Sequence, residues 1–113
     1  MSGISTHVLD TSLGRPATGI NVSLERQSGA AWQPAGRGTT SSDGRIAALL
    51  PSDTGLAEGT YRMTFATAAY FRARGAESFY PHVSVVFEVR DAGQHYHVPL
   101  LPSPYGYSTY RGS

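Results

Sequence analysis

The chain has 113 residues, a formal net charge of +1 and no cysteine. This length fits a single domain spanning residues 1–113, and the absence of cysteine excludes disulfides and Cys-based metal sites. A net charge so close to zero shows no sign of the strongly basic surface that a nucleic-acid or membrane partner would favour.

The sequence carries no recognisable targeting or membrane segment. No apolar run approaches the roughly 20 residues that a membrane-spanning helix needs. The first residues have neither the basic nor the apolar region of a signal peptide. The last three, Arg111-Gly112-Ser113, are not a peroxisomal signal. We therefore expect a cytoplasmic protein.

Apolar side chains recur at every second position in five segments of the chain. In chain order these segments are residues 4–9, 20–25, 61–65, 83–90 and 95–100. This period of two is typical of a strand that lays one face on a core and turns the other toward solvent or a partner.

Turns and one short helix separate the predicted strands. The turns are Leu13-Gly14-Arg15-Pro16, Ser28-Gly29, Ser42-Asp43-Gly44 and Asp91-Ala92-Gly93. Residues 68–74 are predicted to be helical, with Thr67 as the N-cap and Gly75 as the closing residue. Many short strands, frequent turns and one minor helix predict an all-β sandwich.

Three histidines are predicted to lie on the non-core faces of their strands. His7 falls on the face of Ser5 and Leu9, opposite Ile4, Thr6 and Val8. His95 and His97 share a face, because they are two residues apart, and Tyr96, Val98 and Leu100 point the other way. From spacing alone, solvated surface histidines and a metal site built from these three residues are both alternatives. The metal alternative is the weaker one, because no Asp or Glu accompanies the His-x-His pair on its face.

Two further features could belong to a site. Arg45 follows the Asp43-Gly44 turn and opens a short apolar run, where an arginine is more often solvated than functional. The segment from Tyr105 to Ser113 carries three tyrosines, whereas chain ends are usually polar and poorly ordered. We expect this tail to pack in the core or at an interface.

Three stretches of the sequence resemble the transthyretin-related family, and within it the branch of hydrolases that act on 5-hydroxyisourate. They are Ile4-Ser5-Thr6-His7-Val8-Leu9-Asp10 with Gly14-Arg15-Pro16-Ala17, then Tyr80-Pro81-His82-Val83, and the whole run from His95 to Ser113. The ending Tyr110-Arg111-Gly112-Ser113 is the most specific part of the resemblance, since hormone-carrying members have a different tail. Pro102 departs from the apolar residue of many relatives, which concerns packing rather than chemistry.

The resemblance implies a fold, an assembly and a site. The fold would be a transthyretin-like β-sandwich of two four-stranded antiparallel sheets with one short helix. The chain would form a homotetramer whose sites lie at the dimer–dimer interface. His7, Arg45 and His97 would be catalytic, and the substrate-binding residues would be His7, Arg45, Tyr110, Arg111 and Ser113. No metal and no cofactor is implied.

The implied reaction is hydrolysis of a ring amide, which opens the six-membered ring of 5-hydroxyisourate. Imidazole suits such chemistry because its pKa lies near neutral pH, so either His97 or His7 could activate the water. Arg45 would pair with substrate oxygens, Tyr110 would contribute to binding, and Arg111 and the Ser113 carboxylate would chiefly fix the tail. His95 and His82 are expected to be structural. A carrier that holds a small ligand in the same channel is the alternative from another class.

Overall fold

The structure is a computed structural model that describes residues 3–113. The strands in chain order are β1 (Gly3–His7), β2 (Leu9–Asp10), β3 (Arg15–Pro16), β4 (Asn21–Ser28), β5 (Ala31–Thr39), β6 (Arg45–Ile46), β7 (Gly59–Phe65), β8 (Val83–Val89), β9 (His95–His97), β10 (Leu100–Ser103) and β11 (Gly106–Thr109). One helix, α1 (Thr67–Ala73), follows β7. Within residues 3–113 there is no helix long and apolar enough to cross a membrane.

Four of the strands form an antiparallel sheet in the order β5-β4-β7-β8. The predicted alternation holds along its central strands, because Val22 and Leu24 on β4 and Met63 and Phe65 on β7 are all buried. The polar residues between them face outward. The period of two therefore identified the core-facing side of this sheet.

Five of the remaining strands, β1, β6, β9, β10 and β11, form a second sheet, which is mixed. β6 pairs antiparallel with β1, β1 pairs parallel with β9, and β10 pairs antiparallel with β11. Two single bridges, Val8 with Leu100 and His97 with Gly112, continue these pairings and join the pieces in the order β6, β1, β9–β10, β11. The prediction of two purely antiparallel sheets is thus wrong for the β1–β9 pair. The two strands lie near opposite ends of the chain, and the intervening residues cross through the other sheet, so no hairpin forces them to be antiparallel.

The core lies between the two sheets. Its members include several large, fully buried side chains, among them Tyr61, Phe65, Ile4, Leu24, Leu49 and Leu100. Burial of each such side chain contributes about 1.5–3 kcal/mol relative to exposure. The sandwich with one short helix that the sequence predicted is confirmed by this arrangement.

The helix spans Thr67–Ala73, one residue earlier at each end than the predicted 68–74. Thr67 is the first helical residue rather than the N-cap; Ala66 takes that position, and no side chain caps the helix. Ala66 N donates to Asn21 O at 2.9 Å, so the sheet holds the cap residue directly and the helix starts at once after β7. Gly75 closes the helix as predicted, with φ of 75° and a hydrogen bond from its N–H to Arg72 O.

A buried carboxylate ties the helix to the β2–β3 pair. The Asp10 side chain accepts hydrogen bonds from Tyr70 Oη and Arg74 Nη1, both at 2.8 Å, and from Ser12 N at 2.9 Å. Burial alone would raise the pKa of Asp10, but the hydrogen bonds from Ser12 and Tyr70 and the Arg74 charge outweigh it and hold this pKa below its usual value. We call Asp10, Ser12, Tyr70 and Arg74 the anchor cluster.

Candidate active site

Three strands bring the predicted catalytic residues together on the outer face of the mixed sheet. In the β1–β6 pair His7 lies opposite Arg45, and in the β1–β9 pair Ser5 lies opposite His97. The opposite faces of β1 and β9 carry Ile4, Thr6 and Tyr96, which are buried. The histidines therefore face away from the core, as the period of two predicted.

These residues border an open cleft of about 310 Å³. Its lining residues are Ser5, Thr6, Arg45, Ile46, Ala47, His95, His97 and Ser113. The cleft combines two imidazoles, three hydroxyl residues and a guanidinium, and His7 lies beside it as the register partner of Arg45. Such a set can accept a proton, donate one and bind an anionic oxygen.

Ser5 connects two of the histidines and was not predicted as a site residue. Its Oγ lies 2.7 Å from His95 Nε2 and 2.8 Å from His97 Nδ1. The serine is only 8% exposed, so its side chain is largely shielded, although His95 itself is exposed. The sequence placed Ser5 on the face of His7, but the strand register that sets it between two imidazoles is not readable from local pattern. His95, expected to be structural, is thereby part of the cleft.

His7 has a defined protonation pattern. Its Nε2 lies 2.9 Å from the Asp43 carbonyl oxygen, which can only accept a hydrogen bond. Nε2 therefore carries the proton of the neutral ring, and Nδ1 carries the lone pair. This ring can accept a proton at Nδ1 or hold a donor group of a ligand.

Arg45 is held only loosely. Its Nε lies 3.5 Å from Asp43 Oδ2, and both side chains are more than half exposed. A pair of this kind contributes little to stability. A hydrogen bond from Ser41, more than the Arg45 charge, keeps the pKa of Asp43 below its usual value. The guanidinium thus remains able to bind oxygens of a ligand.

His97 is half-buried and held from two sides. Ser5 contacts its Nδ1, and the Gly112 backbone lies so close that a Cβ at position 112 would be 2.5 Å from His97 Cδ2. Gly112 N also donates to His97 O at 2.8 Å. Burial, followed by the positive charge of Arg45 and the neighbouring His7 and His95, lowers the pKa of His97 from its ordinary value. Its neutral, basic form is therefore favoured at neutral pH.

The tail divides between the cleft and another surface. Ser113 borders the cleft, whereas Tyr110 lines a separate hollow of about 170 Å³ and is 57% exposed. The Arg111 guanidinium lies 4.4 Å from the centre of the Tyr96 ring and donates to Gln94 Oε1 at 3.0 Å. Within one chain, Tyr110 and Arg111 thus lie outside the cleft, and their role in substrate binding stays a prediction.

Other parts of the described chain offer less chemistry. A larger groove of about 750 Å³ crosses the outer face of the antiparallel sheet, where His82 and Arg37 are its only ionisable lining residues. Residues 3–113 contain no group of three His, Cys, Asp or Glu side chains arranged to hold a metal ion. The metal alternative for His7, His95 and His97 therefore gains no support from the geometry.

Comparison with known proteins gives consistent matches over the whole described chain. The sequence model of the HIUase/Transthyretin family matches residues 4–112. A probable 5-hydroxyisourate hydrolase of Caenorhabditis elegans is 50% identical over 99% of this chain and 82% of its own length. The structure of Klebsiella pneumoniae 5-hydroxyisourate hydrolase has a TM-score of 0.85 at 40% identity, covering 99% of this chain and 100% of that one. Sea bream transthyretin in complex with thyroxine has a TM-score of 0.89 at 29% identity, covering 96% and 93%.

Proposed function

We infer, since the chain belongs to the HIUase/Transthyretin family, that it hydrolyses 5-hydroxyisourate. The reaction opens the six-membered ring at a cyclic amide and gives 2-oxo-4-hydroxy-4-carboxy-5-ureidoimidazoline, a step of urate degradation. The observation that carries this inference is the placement of Arg45 and His97 at one cleft with His7 beside it, in a chain whose curated relatives include hydrolases of this substrate.

Ring opening requires a water molecule made nucleophilic and a proton for the departing nitrogen. His97 suits both tasks, because Ser5 holds its Nδ1 and leaves Nε2 for water, and because its lowered pKa keeps it neutral. In our proposal His97 removes a proton from water as the oxygen attacks the ring carbonyl carbon. The same imidazole later returns a proton to the nitrogen as the carbon–nitrogen bond breaks.

Negative charge develops on the carbonyl oxygen during the attack. Arg45 borders the same cleft, is only weakly paired with Asp43, and can stabilise that charge with two parallel N–H groups. His7 would use Nδ1, its unprotonated nitrogen, to accept a hydrogen bond from a substrate N–H. Ser113 would border the bound substrate from the tail side.

We propose further that the active form is a homotetramer with sites at the dimer–dimer interface. The cleft lies on the open face of the mixed sheet, so a second copy packed on that face would enclose it. β8 and β11 end their sheets, and exposed Val86, Tyr107 and Tyr110 lie on or next to them. A symmetric partner at these edges would pair their free backbone groups. A second subunit could also bring Tyr110 toward a cleft. The cytoplasmic location and the absence of a cofactor remain predictions.

One experiment separates this function from its alternatives. Freshly generated 5-hydroxyisourate is mixed with the protein, and its ultraviolet absorbance is followed with and without a chelator. The hydrolase is expected to accelerate the decay equally in both conditions. Acceleration that the chelator abolishes would favour a metal site, and binding without acceleration would favour a carrier.

A further inference from the structure

We propose that Ser5 is a positioning residue that links His97 to His95 as a two-step proton relay. The proposal rests on the proposed hydrolase function and deepens it by identifying where the proton taken from water goes. Ser5 would not touch the substrate. It would act through the two imidazoles that its hydroxyl joins.

The first step is a count of hydrogens. Ser5 Oγ carries one hydrogen and lies within hydrogen-bond distance of two imidazole nitrogens, at 2.7 and 2.8 Å. That hydrogen can be donated to only one of them, so the other nitrogen must itself carry a hydrogen and donate it to Oγ. The three groups consequently form a row of two hydrogen bonds that point in the same direction, either from His97 through Ser5 to His95 or from His95 through Ser5 to His97.

Each direction of the hydrogen bonds determines which nitrogen is protonated in both imidazole rings. When the hydrogen bonds run from His97 to His95, His97 is protonated at Nδ1 and has its lone pair at Nε2. His95 then accepts a hydrogen bond at Nε2 and is protonated at Nδ1. When the hydrogen bonds run from His95 to His97, both neutral rings are protonated at Nε2 instead. The two neutral imidazoles must therefore hold the same tautomer at any moment.

The first direction is the one that prepares catalysis. His97 Nε2 removes a proton from water, its Nδ1 proton passes to Ser5 Oγ, and the Ser5 hydroxyl proton passes to His95 Nε2. His97 is then neutral again, Ser5 is again a hydroxyl, and the positive charge is on His95. Reversal of the same steps returns the proton through His97 Nε2 to the departing ring nitrogen.

The surroundings of the two rings give the relay its direction. A positive charge on His97 would stand in a half-buried place near Arg45 and His7, the same causes that lower its pKa. His95 lies at the exposed edge of the cleft, where water can solvate an imidazolium. Its ring packs beside Gly3, where a Cβ would be 3.4 Å from His95 Nδ1, so the absence of a side chain there leaves this nitrogen room.

The relay is tested first by turnover in mixtures of H₂O and D₂O. For the unchanged protein we expect kcat to depend on the deuterium fraction with curvature, because more than one proton moves in the limiting step. Ser5→Ala and His95→Gln should lower kcat by about 10-fold or more, part of what general-base catalysis contributes, with KM little changed and a linear dependence. The amide introduced by His95→Gln can still hydrogen-bond to Ser5 but cannot carry the charge. Ser84→Ala, which removes the exposed Thr64–Ser84 hydrogen bond in the other sheet, is the matched control and should behave like the unchanged protein.

A second measurement needs no substrate. Long-range ¹⁵N–¹H spectra of the imidazoles should show His95 and His97 in the same tautomer, and this correlation should vanish in Ser5→Ala while the thermal midpoint stays within a few degrees. Opposite tautomers in the two rings, full kcat in His95→Gln, or a linear isotope dependence in the unchanged protein would each overturn the relay. A protein with coupled tautomers that does not accelerate substrate decay would overturn the proposed function and leave the hydrogen-bonded chain standing.

Discussion

The anchor cluster around Asp10 and the Ser5–His95–His97 group lie at opposite ends of one short run of chain, yet their polar atoms are used differently. Asp10 has a side chain with 0% exposure and hydrogen bonds from Ser12, Tyr70 and Arg74. The Ser5 hydroxyl is also shielded, but it contacts only one nitrogen of each imidazole. His95 Nδ1 and His97 Nε2 take no part in these contacts. The anchor cluster has its hydrogen-bonding capacity filled by protein groups, whereas the Ser5–His95–His97 group can still exchange protons.

This difference separates a structural role from a chemical one. A buried carboxylate that is fully hydrogen-bonded and paired with a cation holds two elements together, but it has no capacity left for a ligand. The imidazole of His97, with its lowered pKa and its second nitrogen free of the Ser5 contact, has that capacity beside the loosely held Arg45. If the distinction is correct, changes in the two places should affect different measurements.

The largest effect is expected at His97. His97→Asn should lower kcat by about 10²–10⁴-fold, the usual contribution of a general base. The unfolding free energy should change by only about 1 kcal/mol, because one half-buried hydrogen bond is lost. Turnover and denaturant unfolding of the same preparation measure the two quantities. Near-normal turnover in this variant would remove His97 from the chemistry.

Arg45 should give the next largest effect. Arg45→Lys keeps the positive charge but loses the planar pair of donors that can contact two oxygens together. We expect kcat/KM to fall by about 10²-fold, nearly as far as in Arg45→Ala. Thermal unfolding should hardly change, since the Arg45–Asp43 pair is exposed. If lysine restores most of the activity, Arg45 acts only as a diffuse charge.

The parts of this molecule that could be predicted from its sequence are those that depend on local periodicity. The alternation in residues 4–9 and 95–100 was sufficient to place His7 and His97 away from the core. The same local signal identified three strands of the antiparallel sheet, β4, β7 and β8, and the glycine that ends the helix, but it did not identify β5. The alternation of side chains along a strand assigns each residue to one face of the sheet, and the partner strand need not be known.

The parts that could not be predicted depend on pairing between distant segments. Ser5 meets His97 because β1 and β9 pair in parallel, and no turn connects those strands to reveal the register. The role of Asp10 was not predicted, since its partners Tyr70 and Arg74 lie in the helix and directly after it. The division of the tail, with Ser113 at the cleft and Arg111 on Tyr96, likewise arises from side-chain packing across the edge of a sheet.

The C-terminal tail is the third place where a change is expected to lower turnover. Residues added after Ser113 should crowd His97, the proposed general base. We therefore expect turnover to fall by about 10-fold or more, which is part of what a general base contributes. An N-terminal extension of equal length should have little effect. The reason is that Ser113 borders the cleft and Gly112 packs against His97. Deletion of residues 110–113 should also lower turnover. Sedimentation measured in parallel shows whether assembly is disturbed, and a C-terminally extended protein with full activity would exclude the tail from the site.

A change in the anchor cluster should reverse the pattern seen at His97. Asp10→Asn removes the charge that Arg74 contacts and weakens several buried hydrogen bonds, so we expect a loss of about 2–3 kcal/mol in the unfolding free energy. The kcat of the folded fraction should stay within about a factor of three of the unchanged protein, a difference of less than about 1 kcal/mol in the barrier. Glu25→Gln is the control, because the Glu25–Arg62 pair is partly exposed on both sides and should contribute less than about 1 kcal/mol. A large fall in kcat for Asp10→Asn would contradict the assignment of a purely structural role to the anchor cluster.

The smallest effect, and the finest test, is the order of two losses as the pH falls. The pKa of His97 is lowered in the folded state from an ordinary value of 6.5, so its basic form persists below that pH and the acid limb of kcat/KM should have its midpoint below 6.5. The pKa of Asp10 is lowered from 3.8, so the stability that this carboxylate contributes is complete above 3.8 and is lost as the pH falls through its folded value. The protonation of His97 also costs some stability in the first window, because the unfolded chain binds that proton more tightly. Activity should consequently disappear first while circular dichroism shows an intact fold, and unfolding attributable to the anchor cluster should follow only at more acidic pH. Coincident loss of kcat/KM and of structure in one transition would mean that His97 and Asp10 do not serve the separate roles assigned to them.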